Sequence, residues 1–397
     1  MQAAAAKIIL SFFAVLTMLL VTGCWDRREI NDVALVSGSA IDKKGNQYTV
    51  LSQIPLPSQI GGAGSKGGGG GTNGKQSWYN DSATADSLRR VIEDMQRTVS
   101  RELYFAHRRI VVFGEEMARS GLEPVMDASI RLPQNRLSSL AAVTKGEAGA
   151  LFNVRAPMEQ LPSEMMRELV QNATRTPYTL KRLNQEILRD GLDPAIPFIR
   201  VHQTTEVSGK TTTLELAGVG VLKKGSLVGY LESDEASYLW WAMGEANNPV
   251  VQVEAPESGG SISLLFQEVH ADLVPQFTDD QISVVIRIDA KGAVVENESN
   301  YDLTADERME TTVQLAENKI KAGIERTVKK LQSLHSDPIG IGDVIYRKND
   351  KKWSALRDKW NDQEYPKVQV SVETNLYIEH SGSIREPFGY PEGEITR

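Results

Sequence analysis

The sequence is poor in the side chains that build disulfides and metal sites. It has one cysteine and five histidines among 397 residues. A lone cysteine excludes an intramolecular disulfide and a zinc site made from several thiolates. The histidines are too far apart for a helical pair, and neither H-E-x-x-H nor G-x-S-x-G occurs. The sequence therefore predicts no metal ion and offers no catalytic motif. We expect a protein that is not an enzyme.

Positive charge is also scarce relative to negative charge. Lys and Arg number 44 against 52 acidic residues, which gives a net charge of -8. A broad nucleic-acid surface needs clustered positive charge, so we expect no nucleic-acid partner. Hydrophobic residues make up 41% of the chain and charged residues 24%, which is ordinary globular usage. The length suits two or three domains.

The sequence has no long apolar run. The longest run that it does have is short and lies near the amino terminus. Residues 8–20 form an apolar run that follows Lys7 and ends in Val21-Thr22-Gly23-Cys24. A bilayer span needs ~20 apolar residues, so this shorter run is typical of a signal peptide. Small residues before a cysteine at that point resemble a bacterial lipobox. The alternative is an uncleaved anchor helix in which Cys24 has no role.

The lipobox pattern predicts specific processing. Residues 1–23 would be a lipoprotein signal peptide, cut between Gly23 and Cys24, and the Cys24 thiol would carry diacylglycerol. Two acyl chains anchor a protein stably, whereas one binds only marginally. We therefore expect a mature chain that is tethered to a membrane surface by Cys24.

The mature chain is predicted to be α+β, with three mixed α/β domains. An N-terminal α+β domain over 24–195 would contain a hairpin over 33–54, a Gly-rich loop over 61–74 and a helix over 83–102. A small β-rich middle domain would cover 196–255. A C-terminal α+β domain over 256–397 would contain a long helix over 304–334, which Thr304 and Glu307 would begin as a capping box.

Other motifs point to structure rather than chemistry. A G-x-G-x-x-G at 62–67 and a near match to a Walker A loop at 69–76 both lie in the Gly-rich stretch, and Gln76 replaces the hydroxyl residue that binds magnesium. We therefore predict no nucleotide and no other cofactor. The Trp240-Trp241 pair is interpreted as core packing, and His107 as a hydrogen-bonded structural residue.

Several segments together resemble the C-subunit lipoproteins of spore nutrient-germinant receptors, the Ger(x)C family. The resemblance covers nearly the whole mature chain, and its C-terminal part is the most specific. It rests on seven segments: Gly23–Ile30, the hairpin around Gly38–Ile54, Ser100–His107, Arg131–Arg136, Ser336–Gly342, Trp353–Trp360 and a final strand ending in His380-Ser381-Gly382. The Gly-rich loop looks like an insertion into this pattern.

The resemblance implies a three-domain α+β lipoprotein on the outer face of the spore inner membrane. It implies assembly with two integral-membrane subunits into a receptor that responds to small nutrients. No catalytic residue is carried over, and only Cys24 transfers, as the lipid site. The alternative is an extracytoplasmic solute-binding lipoprotein of a transporter, and a surface hydrolase is a third hypothesis.

Overall fold

The fold is described from a computed structural model. The leader, including Gly23 and Cys24, and the Gly-rich loop predicted over 61–74 lie outside the residues that the structure describes. Besides Ser11, the described residues are 30–56, 77–132, 134–206, 209–256, 259–278 and 281–380.

The strands within these ranges form three sheets. Their bounds are β1 Val33–Leu35, β2 Gly38–Lys44, β3 Gln47–Pro55, β4 Trp78–Ala85, β5 Glu102–Tyr104, β6 Ile110–Phe113, β7 Leu140–Val143, β8 Ala195–Glu206, β9 Gly209–Lys223, β10 Ser226–Glu232, β11 Val250–Glu254, β12 Ser261–Phe277, β13 Ile282–Asn297 and β14 Gln369–His380. The largest sheet has the order β10-β9-β8-β7-β6-β2-β3-β4, with parallel pairing from β2 through β6 and β7 to β8. A second sheet has the order β11-β12-β13-β14, and β1 pairs in parallel with β5.

The α-helices of the described ranges pack on these sheets, and short 3-10 turns connect several elements. The bounds of the helices are α1 Leu88–Gln96, α2 Glu115–Arg119, α3 Glu123–Arg131, α4 Pro162–Gln171, α5 Leu180–Ile187, α6 Asp234–Met243, α7 Asp306–Ser333, α8 Ile341–Lys348 and α9 Asp350–Leu356. No helix among the described residues combines the length and the apolar character that a bilayer crossing requires. The predicted mixed α+β, multi-domain architecture is confirmed.

The predicted hairpin is present, but the helix predicted over 83–102 begins later. β2 and β3 pair around a turn at Gly45, which has a φ of +58°. Residues up to Ala85 continue the sheet as β4, paired with β3. α1 begins only after Ser87, whose extended backbone ends the strand and whose hydroxyl accepts a hydrogen bond from the Arg90 amide at 3.4 Å. The cap, rather than the apolar spacing, fixes this boundary.

The long helix is present as α7, and its start differs from the prediction. The capping box is wrong, because Ala305 is the cap residue and makes no side-chain bond to the helix. The Thr304 hydroxyl donates instead to Asp302 Oδ1 at 2.6 Å. The 28 residues of α7 extend for about 42 Å at the helical rise. One stripe of the helix is buried along this length and includes Ala316, Ile320, Ile324, Val328 and Leu331.

The strands of the predicted middle domain belong to the first sheet. β8, β9 and β10 extend that sheet from β7 outward and do not form a sheet of their own. Neighbouring residues of a strand point to opposite faces. Ile196 and Leu222 accordingly face the N-terminal core, whereas Ala195 and Val221 face the C-terminal core. A strand that is apolar on both faces must be covered on both sides, so this segment joins the two cores.

Candidate functional site at the junction of the two cores

The two cores meet where a loop of the N-terminal part contacts a turn of the C-terminal part. The loop runs from Arg189 to Asp193, between α5 and β8. The turn runs from Ser336 to Gly340, between α7 and α8. Asp193 and the whole Ser336–Gly342 segment are buried, apart from slight exposure at a few positions. We call these two segments together the junction.

Asp337 is the centre of the junction and is fully buried. Its Oδ1 accepts hydrogen bonds from the amides of Gly340 at 2.9 Å and Ile341 at 3.1 Å. Its Oδ2 accepts from the Gly342 amide at 2.8 Å and from the Trp360 indole Nε1 at 3.1 Å. A carboxylate at the amino end of α8 satisfies amides that have no partner within the helix. Asp337 therefore fixes the turn and the start of α8.

Asp193 connects this turn to the N-terminal part. Its Oδ2 accepts the Asp337 amide at 2.9 Å and also the Asn361 side-chain amide. Its Oδ1 accepts the Lys224 amide, at 2.9 Å, from the β9–β10 turn. The Asp193 amide donates in return to the Asp337 carbonyl at 3.0 Å. Both segments are thus held by reciprocal hydrogen bonds, and the Ser336 hydroxyl adds another bond to the Leu222 carbonyl of β9.

Burial governs the protonation of both carboxyl groups. It raises the pKa of Asp337 to about 7, against the lowering effect of the amides that bind it. It also raises the pKa of Asp193, again against its hydrogen-bond donors. Each oxygen of Asp337 already accepts two N–H groups, so this carboxylate is committed to structural bonds. A general base must lie within hydrogen-bond distance of the substrate proton that it accepts. The two carboxyl groups instead hold the loop and the turn together, which is a structural role rather than acid–base catalysis.

Two glycines allow the close backbone approach at the junction. A Cβ on Gly191 would lie 2.3 Å from the carbonyl carbon of Gly342, and the φ of Gly191 is +74°. A Cβ on Gly342 would lie 2.8 Å from Gly191 Cα and 2.8 Å from Trp360 Nε1. Neither contact is possible without a backbone shift. The Gly191 carbonyl accepts the Asp343 amide at 2.8 Å across this contact.

A cluster of aromatic rings packs beside Asp337. The rings of Trp353 and Trp360 meet edge to face with centroids 5.5 Å apart, and the Tyr365 ring lies 5.9 Å from Trp360. All three side chains are buried. Aromatic pairs in this geometry add stability beyond the burial of their area. The cluster excludes water from the carboxylate, and this exclusion is the cause of the raised pKa.

Ion pairs surround the junction on its exposed side. Asp343 accepts Arg189 Nε at 2.6 Å and Nη2 at 2.9 Å, and also Arg347 Nε at 2.9 Å. A cleft of about 640 Å³ lies beside these residues, between α5 and α8. Arg182 also lines it and is paired with Glu186 and Glu245. Arg182, Arg189 and Arg347 are thus each paired with a carboxylate that lines the same cleft.

The predicted lipid site cannot be placed in this geometry, since Gly23 and Cys24 lie outside the described residues. Trp241 is buried and Trp240 packs partly buried against the C-terminal core, as predicted. His107 differs from its prediction: it is exposed and makes no hydrogen bond within the described part of the chain. Its ring lies 6.0 Å from that of Tyr104.

Within the described ranges, no group of His, Cys, Asp or Glu side chains is arranged to hold a metal ion.

The sequence contained the junction residues, but their roles were missed. The Ser336–Gly342 segment stood out only by resemblance, and Asp193 lay close to residue 195, the predicted end of the N-terminal domain. The available signal was the Asp337-Pro338 pair followed by Gly340, which favours a turn. That signal predicts the turn, but it cannot name Asp193 as the residue that binds it from 144 positions away.

Two family models match the chain and between them cover most of it. The model described as Spore germination protein N-terminal domain matches residues 26–201. The model described as Spore germination B3/GerAC like, C-terminal, matches residues 217–382. The junction thus contains residues from both matched regions.

Similar proteins and one solved structure agree with these matches. The putative spore germination protein YfkR of Bacillus subtilis (strain 168) is 36% identical over 92% of this chain and 95% of its own length. Spore germination proteins KC and B3 of the same organism are 26% and 24% identical, over 96% of this chain and 97% and 99% of their own lengths. The crystal structure of the GerBC protein matches 86% of this chain and 97% of that chain, with a TM-score of 0.53 and 19% identity. At this identity the likeness concerns the fold.

Proposed function

This chain belongs to the Ger(x)C family of spore germination proteins, and from this premise we propose that it is a lipid-anchored, non-enzymatic subunit of a spore nutrient-germinant receptor. It would be needed for germination in response to small nutrients. The observation that carries the proposal is the Gly23-Cys24 sequence at the end of the apolar leader. In a member of this family, a single cysteine at that position matches the chemistry of diacylglyceryl attachment.

The distance from the anchor to the fold supports a position close to the membrane. Nine residue steps separate Cys24 from Val33, where β1 begins. A fully extended chain spans at most ~3.3–3.6 Å per residue. The first strand would therefore lie within about 30 Å of the lipid surface. From that position the folded body can reach the exposed parts of integral-membrane proteins.

The junction supports a binding subunit rather than a catalyst. Its buried carboxylates hold two parts of the chain together, and their acceptor positions are occupied by N–H groups. A rigid body on a short tether is suited to positioning neighbouring subunits. We propose that two integral-membrane receptor subunits are these partners and that the complex lies on the outer face of the spore inner membrane.

The anchor is tested by Cys24→Ala in the full chain, expressed in sporulating cells. We expect an unprocessed precursor and no incorporation of labelled palmitate, because the thiol that accepts the lipid is gone. Ser11→Ala, a small change within the apolar run, is the matched control and should be processed normally. A Cys24→Ala protein that is still cleaved and acylated would contradict the proposal.

The receptor role is tested by deletion and by copurification. Spores that lack the protein should lose the response to one class of nutrient and keep the response to others. Affinity purification of the full chain from detergent-solubilised spore membranes should recover two integral-membrane proteins. Normal germination of the deletion strain with every nutrient would contradict the proposal. A purified chain without membrane partners would contradict the assignment as a subunit.

A further inference from the structure

An apolar cavity lies in the N-terminal part, and none of the described residues that line it belongs to the junction. Its volume is about 320 Å³, at the small end of the range for ligand sites. The walls come from β2, β3, α1, α3 and the segment around Phe105. The apolar residues that line it are Ile41, Val50, Leu88, Ile92, Phe105, Val125, Ala128 and Leu132.

One buried cation also lines this cavity. Arg108 is 9% exposed, and its Nε is buried without any hydrogen-bond partner. Within the described part of the chain, its guanidinium forms no ion pair. Its charge lies near the Phe105 ring, with Cζ 5.8 Å from the ring centroid. A buried charge without a partner is destabilising, so its presence needs an explanation.

The backbone holds Arg108 in place independently of its side chain. The Arg108 amide donates to the Phe105 carbonyl at 3.1 Å, and the Arg108 carbonyl accepts the Ser139 hydroxyl at 2.7 Å. The Arg108 backbone is therefore fixed before any ligand arrives, and burial confines its side chain, which reduces the ordering cost of binding. Burial lowers the pKa of Arg108 only to about 10, so it stays charged at neutral pH.

We propose that this cavity binds a small monocarboxylate with an apolar body, whose carboxylate pairs with the Arg108 guanidinium. Arg matches the planar geometry of a carboxylate and binds it by two parallel bonds. The apolar lining receives the hydrocarbon part of the acid. Such a ligand satisfies the buried donor and fills the apolar volume at the same time. The site is independent of the lipid anchor and of the partner subunits.

The lining favours an acid without an α-ammonium group. Among the described residues that line the cavity, the only carboxylate belongs to Asp127, which is exposed and already paired with Arg131 at 2.8 Å. An ammonium group placed beside Arg108 would be repelled by the guanidinium and would find no unpaired carboxylate among the described lining residues. Hexanoate is therefore a suitable probe, and 2-aminohexanoate differs from it only by that ammonium group.

The test is calorimetric titration of the full chain in detergent micelles with hexanoate, 2-aminohexanoate and hexanol. We expect saturable binding of hexanoate, and binding at least tenfold weaker for the other two. Arg108→Met keeps the unbranched stem of the side chain and removes the charged guanidinium, so it should lose about 10- to 100-fold in hexanoate affinity. Ala128→Leu fills the cavity, leaves Arg108 in place and should also abolish binding.

Arg136→Met is the matched control. Arg136 is exposed and lines a separate polar cavity on the other side of Arg108, together with His107, Arg109 and Arg167. This variant should bind hexanoate as the unaltered chain does.

The melting temperature of Arg108→Met should not be lower than that of the unaltered chain, because the substitution removes an unpaired buried charge. Absence of hexanoate binding at millimolar concentration would overturn the proposal, as would equal binding by Arg108→Met or equal affinity for 2-aminohexanoate.

Discussion

Replacing Asp337 by Asn is expected to remove part of the pH dependence of stability. In the folded chain, burial raises the pKa of Asp337 to about 7, whereas an unfolded aspartate has a pKa of ~3.9. Between these values the folded state binds more protons than the unfolded state. The free energy of unfolding therefore falls as the pH rises through this interval. Asn does not titrate, so the variant lacks this decrease.

The size of the effect follows from the difference in pKa. Each pH unit inside the interval changes the free energy of unfolding by ~1.36 kcal/mol. From pH 5 to pH 7 the advantage of the unaltered chain over Asp337→Asn should therefore shrink by about 2 kcal/mol, because the slope falls to half its full value as the pH reaches the pKa of the folded state. At pH 5 the variant should be the less stable, because its amide group would face N–H donors of Gly342 or Trp360 that need an acceptor. Each buried donor left without a partner costs about 1–3 kcal/mol.

The assay is urea denaturation of both proteins at pH 5, 6, 7 and 8. Ser336→Ala is the control, because it removes a hydrogen bond to Leu222 at the same junction without removing a titratable group. Its loss of stability should be about 1 kcal/mol and the same at each pH. A difference between Asp337→Asn and the unaltered chain that stays constant, or grows with rising pH, would refute the reasoning.

Three further substitutions test the geometry of the junction and of the helix starts. Gly342→Ala places a Cβ against Gly191 and Trp360, so urea denaturation should show a loss of about 1–3 kcal/mol; unchanged stability would refute the close approach. Trp360→Phe removes the indole donor that lowers the pKa of Asp337, so the pH-dependent decrease in stability should extend above pH 7; an unchanged interval would contradict this. Ser87→Ala removes the cap of α1 and should lower the free energy of unfolding by ~1 kcal/mol. Thr304→Ala should lower it by less than ~0.5 kcal/mol, because Thr304 does not cap α7. Equal losses of both variants in thermal or urea unfolding would indicate that Thr304 forms a capping box after all.

Local patterns in the sequence predicted the elements that depend on local chemistry. The β2–β3 hairpin follows from two β-prone runs around Gly45, and α7 follows from apolar residues at three- and four-residue steps. The errors occurred where local signals compete. The spacing that begins at Leu88 was extended back to Ala83, although pairing with β3 holds that stretch as a strand.

Long-range arrangements were beyond the reach of the sequence. The alternation of apolar residues in β8 and β9 shows that these strands are buried, but it does not say which cores cover them. In the same way, Asp193 and Asp337 each read as turn residues, and only the folded chain brings them together. The unpaired guanidinium of Arg108 could not be predicted either, because the sequence does not show which side chains surround it in the fold.

The sharing of β8 and β9 between the two cores has a mechanical consequence. The regions matched by the two family models divide between residues 201 and 217, which falls inside the paired β8–β9 hairpin. Separating the chain there would strip both cores of strands that they share, so neither region is expected to hold its shape alone. A pulling force applied near β1 would pass along the chain through Val36 and Ser37 into β2, across the eight-stranded sheet, and through the Asp193–Asp337 contact into the C-terminal core. A displacement near β1 is therefore expected to reach the C-terminal core along these hydrogen-bonded connections.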